Sequence, residues 1–248
     1  MRTLGASELL QVWERALDAP ALACGLWMLQ LDGDAQDASA WLDLSLGQRD
    51  ARLLQLHARL FGRALEGVAT CPACQSTVEV SLDSRTLELY SPDEPMPDER
   101  VFDMQSAGHD LRIRFRPVSC ADLLALQACE DVASARQLLL ERCVVDVSGP
   151  EALVAHALPS DVQAELASAM AAADPQADLQ LDCMCPECAH RWQPLFDIAA
   201  FLWQALHAWA LRLLRDVDTL ARAYHWSETD ILSMSPRRRQ AYLEQCAP

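Results

Sequence analysis

The chain contains no lysine. All 20 of its basic residues are arginine, set against 36 acidic residues, for a formal net charge of −16. Such acidity argues against a general nucleic-acid-binding surface and attachment to anionic membranes, since both need a basic footprint. Glycine is scarce, at 8 of 248 residues. Phosphate-cradling loops need glycine where backbone meets ligand, and none of the GxGxxG, GxxxxGK, GxSxG or HExxH patterns occurs. The apolar run 19–31, flanked by Asp18 and Asp32, is too short to span a bilayer. The N-terminus lacks the basic-then-apolar pattern of a secretory signal, with Glu8 arriving early. Without such a signal, the 10 cysteines point to a reducing compartment, so the expected location is the cytoplasm. A hydrophobic content of 51% is enough for a large core in one or two domains.

Four of the cysteines form two matched turns, Cys71-Pro72-Ala73-Cys74 and Cys185-Pro186-Glu187-Cys188. A CPxC turn lets both sulfurs reach one ion, and two such turns read as the halves of a four-thiolate site. Zinc suits it, being tetrahedral, redox-inert and partial to thiolates. Each turn heads a strand-like run, with Val78 and Trp192, Leu82 and Phe196, and Asp83 and Asp197 at equal offsets from their first cysteines. That is the pattern of a zinc ribbon, except that Gln75 and Ala189 stand where glycine often follows the second cysteine. Cys183 shares the strand face of Cys185 and is an auxiliary or competing thiol. Roughly 110 residues separate the two turns, so a metal ion there closes a long loop. Four thiolates leave no open coordination position, so the zinc is expected to be structural, with no catalytic residue attached to it.

Elsewhere, helical periodicity predicts short helices after Ser7 and after Pro20, with a turn at Asp32-Gly33-Asp34. A third helix is expected over 47–67, a strand over 86–90 and a proline-rich loop over 91–97. Strict alternation predicts a strand over 110–116, with Leu111, Ile113 and Phe115 inward and arginines outward. Further helices are expected over 119–129, 133–144 and 160–173, with Cys120, Cys129 and Cys143 as buried apolar residues. A long helix over 198–224 precedes two short ones, the first beginning near Ser227 and the second at Ser235-Pro236. The expected fold is thus α+β and mostly helical. It comprises an N-terminal helical region (1–70), a zinc-ribbon-like element in two halves (71–83 and 183–197), an α+β insertion (84–182) and a C-terminal helical region (198–248). Trp226, Arg237, Arg238, Arg239 and Tyr242 gather in the last of these, and such residue types dominate protein interfaces.

From Leu195 the chain reads LFDIAAFLWQALHAWALRLLRDVDTLARAYHWSETDILSMSPRRRQAYLEQ. Its FDIxxFLW start, TLARAY helix and SPRRRxAYL ending resemble the T-even-type phage baseplate hub assembly chaperone family. The upstream stretches DPQADLQLDCMCPECAHRW and GQRDARLLQLHARLFG…CPAC share the likeness. That family occurs with contractile phage tails and contractile injection systems. The likeness covers both ends of the chain and its middle in outline, and His225 stands where an AYGW pattern has glycine. The resemblance implies a non-enzymatic assembly chaperone, adaptor or minor baseplate component. It would bind other baseplate, hub or tail proteins, take no small-molecule substrate, and occupy the cytoplasm or the assembled particle. An alternative is a zinc-containing, helix-turn-helix-like transcription regulator, because 220–243 imitates that motif. Against it, Glu228, Asp230 and Glu244 balance the three arginines at 237–239. The histidines, at 57, 109, 156, 190, 207 and 225, are scattered and flank no nucleophile motif, which disfavours an enzyme.

Overall fold

A computed structural model describes residues 4–19, 21–30, 41–89, 101–106, 108–149 and 155–246. The turn expected at Asp32-Gly33-Asp34 and the loop expected over 91–97 lie outside them. The chain begins with helices α1 (Ala6–Ala16), α2 (Ala21–Gln30) and α3 (Leu46–Phe61) and the hairpin β1 (Ala64–Thr70) and β2 (Thr77–Asp83). It continues through β3 (Phe102–Ser106), β4 (Leu111–Phe115), α4 (Cys120–Leu126), α5 (Val132–Cys143), β5 (Val144–Ser148) and α6 (Ser160–Ala173). A short hairpin, β6 (Cys183–Met184) and β7 (Arg191–Trp192), leads to α7 (Ile198–Tyr224), α8 (Glu228–Ser233) and α9 (Pro236–Cys246). The fold is α+β and mostly helical, and its sheets are small and antiparallel. Two compact units are present, one of Gln36–Ile198 and one of Met1–Ala35 with Ala199–Pro248. No described helix is long and apolar enough to cross a membrane.

In the unit Gln36–Ile198, α3 starts where Ser45 builds a capping box. Ser45 Oγ accepts the Gln48 N–H and Gln48 Oε1 accepts the Ser45 N–H, each at 3.2 Å. Gly47 fits beneath Asp174, whose Oδ2 accepts its N–H at 2.9 Å, and a Cβ there would overlap that carboxylate. The helix ends at Phe61, where Gly62 takes a φ of 93°. The apolar spacing of Leu53, Leu56, Leu60, Phe61 and Ala64 suggests helix as far as 67, into the stretch ALEGVAT. It forms β1 instead, paired with β2 from Ala64↔Asp83 to Thr70↔Thr77. The cross-strand ladder outweighs weak local propensity. The strand expected over 86–90 is also absent from the described part of that stretch. Ser84–Thr86 is a 3-10 turn capped by Asp83, whose Oδ1 accepts the Arg85 N–H at 3.0 Å.

The insertion folds around β4, the central strand of the order β3-β4-β5. Its alternation places Leu111, Ile113 and Phe115 inside and its arginines outside, as expected. The inward side chains pack with Leu140 of α5, with Leu158, and with Val162 and Leu166 of α6. Beside this core, Asp122 is completely buried and pins three segments together. Its carboxylate accepts from Arg116 Nη1 (2.6 Å) and Nη2 (3.0 Å), Arg142 Nε (2.6 Å), and the Ser119 N–H and Oγ (2.8 and 2.9 Å). Burial alone would raise its pKa, but these donors outweigh burial and hold it well below the usual carboxylate range. Cys120 and Cys143 are buried as expected, and burial pushes both thiols up to about 11, while Cys129 is only half-buried.

In the other unit, α7 runs for 27 residues and buries Leu202, Leu206, Ala210, Leu213 and Leu220 along one face. Trp13 of α1 donates its indole N–H to His207 Nδ1 at 3.0 Å. His225, in the glycine-like position, adopts a φ of 58°, and its N–H bonds to the Ala221 carbonyl at 2.9 Å. This left-handed cap ends α7 without glycine. Ser227 then caps α8, and Ser235 Oγ accepts the Arg238 N–H at the start of α9.

Because Asp122 is charged, buried and fully hydrogen-bonded, Asp122→Asn should cost about 3 kcal/mol at pH 7, read from urea unfolding. A depressed carboxylate pKa gives stability that is present above the unfolded value and lost as pH falls. The gap between wild type and variant should therefore narrow below about pH 4.

Candidate metal centre

Both CPxC turns sit at the tips of antiparallel hairpins. Thr70↔Thr77 closes the first below its turn, and Met184↔Arg191 closes the second. The correspondence continues away from the tips. Ala69↔Val78 matches Cys183↔Trp192, and Glu66↔Ser81 matches the isolated bridge Gln180↔Leu195. The two halves of the ribbon are thus structural repeats of unequal length. Inside each turn the backbone repeats too. The N–H of Gln75 bonds to the Cys71 carbonyl and that of Ala189 to the Cys185 carbonyl, both at 2.9 Å. Cys71 N–H and Cys185 N–H bond to the carbonyls of Ser76 and His190, also at 2.9 Å.

The missing glycines do not alter the turns. Gln75 has a φ of 62° and Ala189 a φ of 57°, so both adopt the left-handed conformation that glycine would take at lower cost. Gln75 gains something in return, since its Nε2 donates to the Pro72 carbonyl at 3.3 Å and braces the knuckle.

The hairpins bring Cys71, Cys74, Cys185 and Cys188 together, with all four sulfurs within 4.8 Å of one another. Cys71 Sγ is 3.7 Å from Cys188 Sγ, and Cys74 Sγ is 3.6 Å from Cys185 Sγ. A tetrahedron built on zinc–sulfur bonds of about 2.3 Å has an edge of about 3.8 Å, so these spacings fit one ion at the centre. Such a cluster is poor at holding negative charge by itself. Cys185 is drawn down to about 6, chiefly by the Ser76 hydroxyl. Cys188 is pushed up to about 12, since the His190 N–H that lowers it is outweighed by the crowding of the neighbouring sulfurs of Cys74, Cys185 and Cys71. A central cation would remove this conflict by allowing every thiol to ionise. Cys71 and Cys185 are buried, whereas Cys74 and Cys188 face solvent. Val78 and Trp192 cover the buried pair.

Ser76 is the residue that sequence reading overlooked. Its Oγ lies 3.1 Å from Cys74 Sγ and 3.1 Å from Cys185 Sγ, bridging the two hairpins. The signal was its place directly after the left-handed Gln75, where the other repeat carries His190. Cys183 is not among the four clustered sulfurs. It occupies the place of Ala69 and pairs across the strand with Trp192.

The residues singled out in the tail divide. Trp226 stacks on Tyr224 with centroids 4.4 Å apart, and Tyr242 meets Trp226 edge-on at 4.9 Å. Arg239 is buried, with Nε 3.9 Å from Asp216 Oδ2. Arg237 and Arg238 are exposed, and the Arg238 guanidinium lies 5.8 Å from the Tyr242 ring centroid.

A model of the family described as T4 bacteriophage base plate protein matches residues 30–203, well over half of the chain. The chain belongs to that family. The matched region includes both hairpins of this base plate protein and everything between them, and it ends within α7. The tail from 204 onward, which contributed much of the resemblance read from sequence, lies beyond the match. No curated protein and no solved structure matches the chain.

Ala189 holds a left-handed backbone with no compensating side-chain bond of the kind Gln75 makes. Ala189→Gly should therefore raise stability by about 0.5–1 kcal/mol, measured by chemical denaturation, with the four-cysteine geometry preserved.

Proposed function

We propose that this base plate protein is a non-enzymatic assembly chaperone, adaptor or minor component of the baseplate of a contractile phage-tail-like particle. Family membership over residues 30–203 is the observation that supports a baseplate role. In this reading Cys71, Cys74, Cys185 and Cys188 hold one structural zinc. Support comes from the near-tetrahedral sulfur spacings and from a donor set of four thiolates. The ion would clasp two hairpins remote in sequence and take no part in chemistry. Ser76 would orient two ligand sulfurs from outside the coordination shell.

The tail is then the surface offered to other baseplate, hub or tail proteins. Exposed Arg237 and Arg238 would make bidentate contacts with a partner's carboxylates. Trp226 and Tyr242, packed against each other, would set the shape that presents them, while Arg239 supports α9 from beneath. The transcription-regulator alternative gains little from this arrangement. The helix before Ser235 has only 6 residues, and Arg239 packs toward Asp216 of α7 instead of outward beside Arg237 and Arg238, so no row of three arginines faces a duplex.

Metal analysis of the purified chain should give close to one zinc per molecule. Cys71→Ser should lose the metal and at least about 4 kcal/mol of stability, whereas Cys24→Ser should do neither. A metal-free chain that is as heat-stable as the loaded one would refute the clasp. Ser76→Ala should retain the fold but weaken zinc retention against a chelator by about tenfold.

Docking is tested separately. Arg237→Glu/Arg238→Glu should preserve zinc content and thermal stability while losing the co-purifying tail protein. Retention of the partner together with functional particles would remove these arginines from the interface.

A further inference from the structure

We propose that the cavity between α7 and α9 is a carboxylate-binding pocket, which receives an acidic side chain from a protein partner. The site is distinct from the zinc clasp and from the exposed arginines of the tail. The cavity is open to solvent, measures about 440 Å³ and lies wholly within one unit of the protein. Trp209, Arg212, Arg215 and Asp216 line it from α7, and Arg239 and Gln240 line it from α9. Positions 209, 212 and 216 follow helical spacing, so they present one continuous wall.

Arg239 is the central observation. Its side chain is only 8% exposed. Its Nη1 is buried and has no hydrogen-bond partner, and the Asp216 carboxylate is 3.9 Å from Nε, beyond hydrogen-bonding distance. Burying a guanidinium with one N–H group unpaired is costly, and burial pulls its pKa below the ordinary value, with Asp216 opposing only in part. A carboxylate in the cavity would add the second negative charge that this guanidinium lacks. Arg212 and Arg215 are exposed at the rim, and neither makes an ion pair among the described residues. Three arginines therefore face one aspartate in a chain whose overall charge is −16.

Carboxylate is favoured over phosphate by charge and size. Asp216 in the wall opposes a dianion more than a monoanion. The net charge of −16 repels a polyanion such as nucleic acid at longer range. The volume suits one or two residues of a peptide, and half-buried Trp209 offers a flat apolar face to the methylene stem of a glutamate.

The test uses the full chain and an Ala-Glu-Ala peptide blocked at both ends, which carries a single carboxylate, titrated by calorimetry, with sulfate as the comparison anion. Saturable peptide binding is expected. Arg212→Ala/Arg215→Ala should weaken it at least about tenfold with the thermal midpoint unchanged, since both side chains are exposed. Asp216→Asn should tighten it, by removing the carboxylate that competes for Arg239. This increase separates ligand binding from a purely structural role for the cluster. Arg237→Glu/Arg238→Glu should stay within about threefold of the parent, because neither residue lines the cavity. Pocket and tail docking therefore fail independently. The proposal is overturned by absence of saturable peptide binding, by full affinity in the Arg212/Arg215 variant, by weaker binding in Asp216→Asn, or by sulfate binding as tightly as the peptide.

Discussion

Four sulfurs carried on two hairpins meet within the unit Gln36–Ile198, with two pairs 3.7 and 3.6 Å apart, near the edge of about 3.8 Å that a zinc–thiolate tetrahedron has. The segment between Cys74 and Cys185 spans 111 positions, and its ends must return to within 3.6 Å at the sulfurs. Bringing such distant residues together costs chain entropy that rises slowly with length. What makes the return possible is a folded insertion, with β4 at its centre and Asp122 tying α4, α5 and the end of β4 into one body. Gln176 joins the two ends of that insertion, since its side chain donates to the Leu87 carbonyl and accepts the Leu89 N–H.

The repeat between the hairpins shows how a small geometric unit tolerates changed residues. The left-handed residue after each second cysteine is required by the turn, not by a particular side chain. Gln75 and Ala189 accept the strain, and the backbone bonds of the two knuckles remain the same. His225 at the end of α7 shows the same behaviour in a helix cap. The constraint lies in the backbone conformation, and the surrounding hydrogen bonds over-determine it.

Much of this was legible in the sequence because the signals were local. Pro159 and the apolar spacing placed α6, the run from Ile198 to Tyr224 placed α7, and the alternation of Leu111, Ile113 and Phe115 placed β4. The paired CPxC spacing identified all four clustered cysteines. The failures share a cause. β1 reads as a helix until its ladder with β2 is known, and β3 and β5 have no strong pattern apart from β4. Arg239 looks like its two neighbours in a triple arginine, yet the phase of α9 turns it inward while Arg237 and Arg238 face water. The Ser76 bridge exists only because the other hairpin brings Cys185 to it. Each of these is decided by a partner distant in the chain, which local propensity does not encode.

The hairpins are unequal in length, and that inequality gives the clasp a direction. The first is held by seven paired residues on each strand, and the second by two paired residues on each strand, an isolated bridge beyond them and backbone bonds from Leu181 N–H to the Pro194 carbonyl and from Phe196 N–H to the Leu179 carbonyl. Short ladders open more readily than long ones, because fewer hydrogen bonds must break together. The hairpin that carries Cys185 and Cys188 therefore has less to hold it closed than the one that carries Cys71 and Cys74. An ion in the site would be shed from one side, as a hinge opens, and the first hairpin would persist as the template on which the second closes again.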